Sequence, residues 1–431
     1  MKYRDSYEGA RFFKCDLQMQ TPADASRWRT PGMGADQRGA EEFIRRCYET
    51  GLEVIGITDH NFASKDFIPL LRDAIKELAP VYEYTIALFP GFEIYADVGR
   101  GVHVLALYNP DTDLELIDHA LTECGVGYPR FVEGEPVKST KRLPDILEVV
   151  QRRDSTGRMH GVVICPHSQS NLGIFDNDRI ADWLQIEEFT NPDLLCIEVP
   201  KPPTEMSVGW QRLLASGTNC QPEWKRNRSI ACVMSSDTKA LSSEDVITNF
   251  IGWRFTWIKM SHPSIESLRQ AFLDHESRIR LVQDRPEDNY THPWIRGVTV
   301  QSAKFLADVD IEFSANLNSI IGGRGTGKST IVEYLRIVLG QGSSLFGKEA
   351  KENFTHVMGT IAEQTTLQAT LEKVGEPYGV ASEDGKPPRV EDHPDIPDLG
   401  RFFPVAILSQ KEIYAISNDR NARLRLLDDT I

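Results

Sequence analysis

The sequence predicts an α/β protein with two domains, and three observations lead to this prediction. The chain has 431 residues, and at roughly 150 residues per domain this length favours two or three domains. From about Phe12 to Val282, short apolar runs alternate with helical stretches, as in βαβα units. A glycine-rich stretch at 322–329 lies between a predicted strand and a predicted helix, which indicates a second α/β domain.

The first domain shows its strands and helices as separate patterns. The segment AEEFIRRCYET predicts a helix that ends at Gly51, and Val54–Thr58 then predicts a buried strand. A helix over FIPLLRDAIKELA and strands over ALFPGFEI and VHVLALY follow. The strand at Val54–Thr58 ends in Asp59 and His60. Because parallel α/β folds carry their chemistry at the carboxyl ends of strands, this end is the predicted site.

A linker separates the first domain from the second. The stretch DRPEDNYTHP is charged, carries two prolines and lacks apolar periodicity. We therefore predict a first domain at 1–283, a linker at 284–295 and a second domain at 296–431.

The second domain begins with alternating and apolar segments. Strands are predicted at 304–313 and 318–322, and a helix from Gly327 to about Leu339. The stretch 375–400 is rich in Pro, Asp, Glu and Gly, which predicts a surface insertion loop. The final segment ARLRLLDDTI has the pattern of an amphipathic helix that is interrupted midway.

Composition narrows the class of protein. The formal charge is −15, from 63 acidic against 48 basic residues, which argues against a general nucleic-acid coat but not against a local basic groove or bound metals. No apolar run reaches about 18 residues, and the N-terminal segment lacks the apolar core of a signal peptide. Seven cysteines without a C-x-x-C pair favour reduced thiols. We expect a cytoplasmic protein without membrane segments.

The glycine-rich stretch fits a phosphate-binding loop. It satisfies G-x-x-x-x-G-K-[ST], with the strand LNSII before it and the helix STIVEYLRIVL after it. Backbone N–H groups of such a loop surround phosphates, Lys328 reaches the β and γ oxygens, and Ser329 holds Mg²⁺. A chance glycine-rich turn is the alternative, and the flanking elements argue against it. The predicted ATP-binding residues are Gly322, Gly323, Arg324, Gly325, Thr326, Gly327, Lys328, Ser329 and Thr330.

The segment FLADVDIEFSANLNSIIGGRGTGKST resembles the start of the ATP-binding-cassette heads of SMC, RecF and Rad50 proteins. The resemblance implies a downstream glutamine that contacts Mg²⁺ and the attacking water. Gln410, after the predicted strand VAIL, is the candidate, and a surface polar residue is the alternative. No signature motif, Walker B pair or coiled coil precedes Ile431. We therefore expect the N-terminal lobe of such a head.

Short motifs of the first domain resemble the PHP (polymerase and histidinol phosphatase) superfamily over roughly Phe12 to Asp284. In order, they are CDLQMQTPAD, GITDHN, FPGFEI, GVHVLAL, CPHSQ, IEVP and MSSDTKA. The resemblance implies a distorted (β/α)₇ barrel with up to three divalent ions at its carboxyl end. The segment SHPSIESLRQAFLDHESRIRL before a P-loop domain is similar to TrlF-type PHP–ATPase fusions.

The resemblance also implies the metal ligands. The positions that match family metal ligands are His60, Glu93, His103, His167 and Asp237. These five residues and Gln410 are also the predicted catalytic residues. In the second domain, Ser329 and Gln410 would hold Mg²⁺. Three family histidines are replaced by Gln18, Gln20 and Lys239. An amide is a poorer ligand than imidazole, and ammonium opposes a cation. We therefore expect one or two Zn or Mn ions. The structural alternatives are that Asp59-His60 forms a turn and helix cap, that His103 is a core histidine and that His167 is a loop residue.

These features predict an ATP-dependent PHP-type metal phosphoesterase, a nuclease controlled by an SMC-like ATPase. The resemblance implies a DNA or RNA substrate, a role in bacterial anti-phage defence, and homo-oligomers formed through the ATPase heads, with or without a partner subunit. One alternative is an SMC-like structural ATPase whose PHP domain is an inert scaffold. A small-molecule phosphatase is a third reading, which the fused ATPase disfavours.

Overall fold

The computed structural model divides the chain into two compact units, Met1–Glu287 and Asp288–Ile431. It describes residues 9–170, 172–176, 178, 180–217, 219–286, 292–342, 347–391, 393, 396 and 398–428, and no side chains beyond 424. The division falls within the predicted linker, of which residues 287–291 lie outside the described part. The described helices include none long and apolar enough to cross a membrane.

The first unit alternates strands with helices, as its apolar rhythm predicts. Its strands are β1 (Arg11–Met19), β2 (Val54–Ile57), β3 (Ala87–Ala96), β4 (Val102–Tyr108), β5 (Phe131–Val132), β6 (Glu135–Pro136), β7 (Gly161–Cys165), β8 (Cys196–Glu198), β9 (Ala231–Val233), β10 (Thr256–Met260) and β11 (Ile279–Arg280). Its helices are α1 (Gln37–Glu49), α2 (Phe67–Tyr82), α3 (Leu114–Glu123), α4 (Leu143–Val150), α5 (Asp182–Thr190), α6 (Val208–Ala215), α7 (Ile265–Leu273) and α8 (His275–Arg278). The predicted helices and strands between residues 40 and 108 are confirmed.

A nine-stranded sheet in the order β11-β10-β1-β2-β3-β4-β7-β8-β9 organises this unit. It curves into a nearly closed barrel, because the chain after β9 returns to the end of β1 through a bridge between Met19 and Thr238. The α/β class is thus confirmed. Strands β1, β2 and β3 are parallel, as are β7, β8 and β9. Strand β4 is antiparallel to both neighbours, so its first residues lie at the carboxyl end of β3.

Strand β1 shows how the barrel buries both of its faces. Phe13, Cys15 and Leu17 enter one hydrophobic cluster with helix α7, whereas Phe12 and Met19 enter a second cluster with helices α1 to α5. Successive side chains of a strand point to opposite faces, so a strand buried on both faces reads as a continuous apolar run. The rigid two-sided packing fixes the strand ends on which the polar residues lie.

The second unit is a five-stranded antiparallel sheet packed against helices. Its strands are β12 (Trp294–Gln301), β13 (Val309–Glu312), β14 (Thr366–Lys373), β15 (Glu376–Glu383) and β16 (Arg389–Val390), in the order β13-β12-β14-β15-β16. Its helices are α9 (Lys328–Val338), α10 (Lys348–Met358), α11 (Leu399–Phe402), α12 (Gln410–Asn418) and α13 (Arg420–Asp428). The predicted helix after the glycine-rich loop is confirmed as α9.

The prediction of an insertion loop at 375–400 is wrong. Strand β15 pairs along its whole length with β14, and β16 continues the sheet; residues 392, 394, 395 and 397 lie outside the described part. The polar composition misled because β15 forms through its backbone pairing with β14, while Val380 and Ala381 are its buried apolar residues. Trp294 begins β12, so the predicted linker at 284–295 also extends into a strand.

Two other strand predictions are wrong. Residues 318–322 and the segment VAIL at 405–408 form no strand, and only Val309–Glu312 of the predicted strand at 304–313 is paired. Apolar residues give these segments strand character, but a strand also needs a partner backbone. Ile321 and Leu317 are 91% and 94% exposed, since no described strand of this unit pairs with 318–322.

Candidate metal centre and nucleotide-binding loop

The carboxyl end of the barrel gathers the polar side chains of the first unit. The residues that converge there are Asp16 and Gln18 in β1, Gln20 and Asp24 after β1, Asp59 and His60 after β2, Glu93 in β3, His103 in β4, His167 after β7, Glu198 in β8, and Asp237 after β9. The structure therefore brings the five predicted PHP-site residues to one end of one sheet.

His60 is held by a carboxylate on one side and faces Glu93 on the other. Its Nδ1 lies 2.7 Å from Oδ2 of Asp24, and its Nε2 lies 3.8 Å from Oε2 of Glu93. A carboxylate on the outer ring nitrogen is how metal-binding histidines are usually oriented. Burial lowers the pKa of His60, but the charge of Glu93 and the bond to Asp24 outweigh it and raise the pKa overall.

Glu93 and His103 form the centre of the site. His103 Nδ1 contacts Glu93 Oε1 directly, and both side chains are buried. Burial favours the neutral form of Glu93, but the histidines around it, His103 first, hold its pKa well below the usual value. Burial lowers the pKa of His103 against the opposing charge of Glu93. An ionised carboxylate beside imidazole nitrogens is a suitable ligand set for a divalent transition metal.

His167 and Asp237 close the other side of the site on strained backbone. His167 has φ 51° and Asp237 has φ 48°, a region that non-glycine residues seldom adopt and that often marks functional positions. The His167 backbone N–H donates to Glu198 Oε2 at 3.0 Å. A Cβ on Gly173 would lie 2.0 Å from the His167 carbonyl oxygen, so the turn that carries His167 requires a glycine there.

Gln18, Gln20 and Lys239 contact the carboxylates of the site. Gln18 Nε2 lies 3.1 Å from Glu93 Oε2 and 3.2 Å from His167 Nε2. Lys239 Nζ lies 2.6 Å from Asp237 Oδ2. The ammonium therefore pairs with the Asp237 carboxylate, which it would contest with a bound cation.

Four further carboxylates belong to this site: Asp59, which the sequence places at a strand end, and Asp16, Asp24 and Glu198, which sequence reasoning did not single out. Asp24 orients His60, and Glu198 contacts the turn of His167. Asp59 accepts from the Thr21 backbone N–H at 2.7 Å, and Asp16 binds Ser236. Burial raises the pKa of Asp16 to about 7, and burial with the charge of Asp24 does the same for Asp59. The sequence signal that could have identified these carboxylates is their position within the motifs CDLQMQTPAD, TDHN and IEVP.

The donors present fit a divalent cation. Ligand atoms of His60, Glu93 and His103 all lie within 4.8 Å of one another. His103 Nε2 is buried without a hydrogen-bond partner among the described residues, as are the side-chain oxygens of Gln18 and Gln20. Buried lone pairs without a partner are costly, and a cation at Glu93 would satisfy the amide oxygens once the two amides turn them toward it.

The phosphate-binding loop of the second unit precedes α9. Gly325 and Gly327 have φ of 84° and 88°, which glycine adopts without strain. Lys328 Nζ donates to the carbonyl oxygens of Gly322 and Gly323 at 2.8 and 2.6 Å, so it lies over the loop where a phosphate would bind. Ser329 and Thr330 lie in the first turn of α9, whose positive dipole end favours anions.

Gln410 is the first residue of α12 and is exposed. The structure shows no hydrogen bond between Gln410 and the described residues of the loop. Helix α12 is nevertheless tied to α9, because the buried Arg336 guanidinium binds Glu333 Oε2 at 2.9 Å and also Glu412 Oε2. Glu412 is the buried residue of α12, so a cluster of charges attaches this helix.

Residues 298–420 match a family model described as an AAA domain. The match includes the phosphate-binding loop and Gln410, and it indicates an SMC/RecF-like AAA ATPase part in the second unit. This part is thus of the P-loop ATPase type, and ATP with Mg²⁺ is its expected ligand. No curated protein matches the chain.

Proposed function

We propose that the chain is a PHP-type metal-dependent phosphoesterase whose activity is controlled by ATP bound to its SMC-like ATPase part. The first unit would cleave phosphodiester bonds of DNA or RNA. Defence against phage is the cellular role that the family resemblance suggests. Gln410 is proposed as the residue that contacts Mg²⁺ and water at the bound nucleotide.

The convergence of His60, Glu93 and His103 supports the phosphoesterase proposal most strongly. Three separate strands bring these buried ligand atoms within 4.8 Å of one another, although their positions in the chain span more than 40 residues. A buried carboxylate with two imidazoles is expensive to maintain without a cation or a proton to share. The positive φ of His167 and Asp237 adds backbone strain, which is retained where function requires it.

The residues of the chain divide the work of this reaction. His60, Glu93, His103 and His167 would hold the ion, and a bound divalent ion supplies an activated water and a charge that polarises the phosphoryl oxygen. Asp24 Oδ2 lies 2.7 Å from His60 Nδ1 and binds this nitrogen, so Nε2 is the ring nitrogen that would face the ion.

Hydrolysis of bis(p-nitrophenyl) phosphate and of a single-stranded oligonucleotide by the full chain tests the proposal. We expect Mn²⁺-dependent cleavage that Glu93→Gln abolishes while ATP binding remains. Glu266→Gln is the matched control, because Glu266 binds Arg269 on α7 outside the site. Cleavage that survives Glu93→Gln, or no cleavage with any divalent metal, would contradict the proposal.

A second candidate is an SMC-like ATPase with an inert PHP domain as a scaffold. One observation favours it: Lys239 and the amides of Gln18 and Gln20 already bind the carboxylates of the site. In this case the Lys239 ammonium and the two glutamine amides would take the place of metal ions beside the carboxylates. Metal binding to the purified chain separates the two candidates, because the scaffold binds none at Glu93.

A further inference from the structure

Two glutamine amides surround the central carboxylate of the candidate metal centre. Nε2 of Gln18 and Nε2 of Gln20 donate to the same oxygen, Glu93 Oε2, at 3.1 and 2.9 Å. Both glutamines are 0% exposed. Two residues apart on the irregular end of β1, their side chains reach the same point in the site.

The side-chain oxygens of these two glutamines have no hydrogen-bond partner within the described protein. Gln18 Oε1 and Gln20 Oε1 are buried and accept no hydrogen bond from any described residue, and His103 Nε2 is likewise unpartnered. Buried amide oxygens are normally satisfied by a donor or a cation. No described donor therefore holds either amide oxygen in its present place, and His103 Nε2 is a buried nitrogen without a partner in the residue next to the Glu93 carboxylate.

A terminal amide offers either a donor or an acceptor at one place. Rotation by half a turn about the last side-chain bond exchanges its oxygen and nitrogen without moving the rest of the side chain. The amides that donate to Glu93 can therefore present oxygen to an ion bound at Glu93. An imidazole at the same place would supply nitrogen instead.

We propose that Gln18 and Gln20 are oxygen ligands of the divalent ion held by His60, Glu93 and His103, and that they shift its selectivity from Zn²⁺ toward Mn²⁺. The inference rests on the proposed metal site and adds the identity of its ion. The family resemblance implies histidines at these two positions, and this chain has Gln18 and Gln20 there instead.

The chemistry of the donors sets the direction of the shift. Carbonyl and carboxylate oxygens suit Mn²⁺, whereas imidazole nitrogen suits Zn²⁺. Zn²⁺ generally binds more tightly than Mn²⁺ to the same site. The oxygen ligands would therefore reduce the difference in affinity between the two ions without reversing it. The Gln18 and Gln20 oxygens would raise the oxygen share of a set otherwise made of Glu93 and two histidines.

Restoring imidazoles tests the inference directly. Mn²⁺ affinity of the metal-stripped full chain is measured by electron paramagnetic resonance of free Mn²⁺, and Zn²⁺ affinity by competition. In Gln18→His/Gln20→His, the ratio of the Mn²⁺ to the Zn²⁺ dissociation constant should rise at least about tenfold. Gln270→His, on the exposed side of α7, should leave the ratio unchanged.

A second variant covers the case in which the double histidine variant does not fold. Gln18→Leu/Gln20→Leu keeps the size of the side chains and removes the oxygens, so Mn²⁺ binding should weaken at least about tenfold. Circular dichroism checks the fold of both variants.

The outcomes separate the inference from the proposed function. An unchanged ratio in a folded histidine variant, or unchanged Mn²⁺ binding in the leucine variant, overturns the inference and leaves a metal phosphoesterase standing. If the unsubstituted chain binds neither ion, both the inference and the proposed function fail.

Discussion

Replacing Arg336 by Met should strongly destabilise the second unit. The guanidinium is 0% exposed between Glu333 and Glu412, whose side chains are 3% and 1% exposed. Its removal leaves two carboxylates buried together without a counter-charge. Breaking a buried ion pair in this way costs about 3–5 kcal/mol, and for a unit of this size that predicts a fall in melting temperature of roughly 10–20 °C.

Equilibrium urea unfolding, followed by circular dichroism, measures this loss. The transition of the second unit is the one that ATP shifts to higher urea, because ligands stabilise the folded state that they bind. Arg401→Met is the matched control: its ion pair with Asp398 is 91% exposed on the arginine side, and exposed pairs contribute about 1 kcal/mol or less. A loss for Arg336→Met no larger than for Arg401→Met would refute the reasoning.

Three further predictions concern the two candidate sites. Lys328→Ala should abolish ATP binding in a fluorescent-nucleotide titration while metal content stays unchanged; retained binding would contradict the assigned loop. Gly173→Val should weaken Mn²⁺ binding at least about tenfold, because its Cβ would meet the His167 carbonyl oxygen at 2.0 Å; an unchanged affinity in isothermal titration would contradict this. Lys239→Met should tighten divalent-ion binding, since it frees the Asp237 carboxylate from an ammonium 2.6 Å away; unchanged or weaker binding in the same titration would show that the ammonium and the ion do not compete for this carboxylate.

The parts of the fold that were predictable are those with two-sided burial or a local motif. Strand β2 is a short, continuous apolar run that ends in polar residues, and helix α9 follows a motif whose glycines fix the backbone. Such signals depend on neighbours in sequence, so they can be read without knowing the partner elements.

The parts that were mispredicted depend on whether a partner strand is available. Residues 318–322 have none among the described strands, whereas the polar β15 pairs with β14, from which two residues separate it. In the site, His60 and Glu93 were predicted from motif order. The role of Asp24 as the partner of His60 Nδ1 could not be predicted, since thirty-six residues that include helix α1 and strand β2 separate the two.

Metal content of the purified full chain tests the central claim most directly. We expect one or two equivalents of divalent transition metal by inductively coupled plasma mass spectrometry after loading with Mn²⁺ and desalting. The metal should be lost in Glu93→Gln but not in the control Glu266→Gln, because Glu93 is the carboxylate on which the buried ligands converge. A chain that retains no metal, or one whose content is unchanged by Glu93→Gln, would contradict the account.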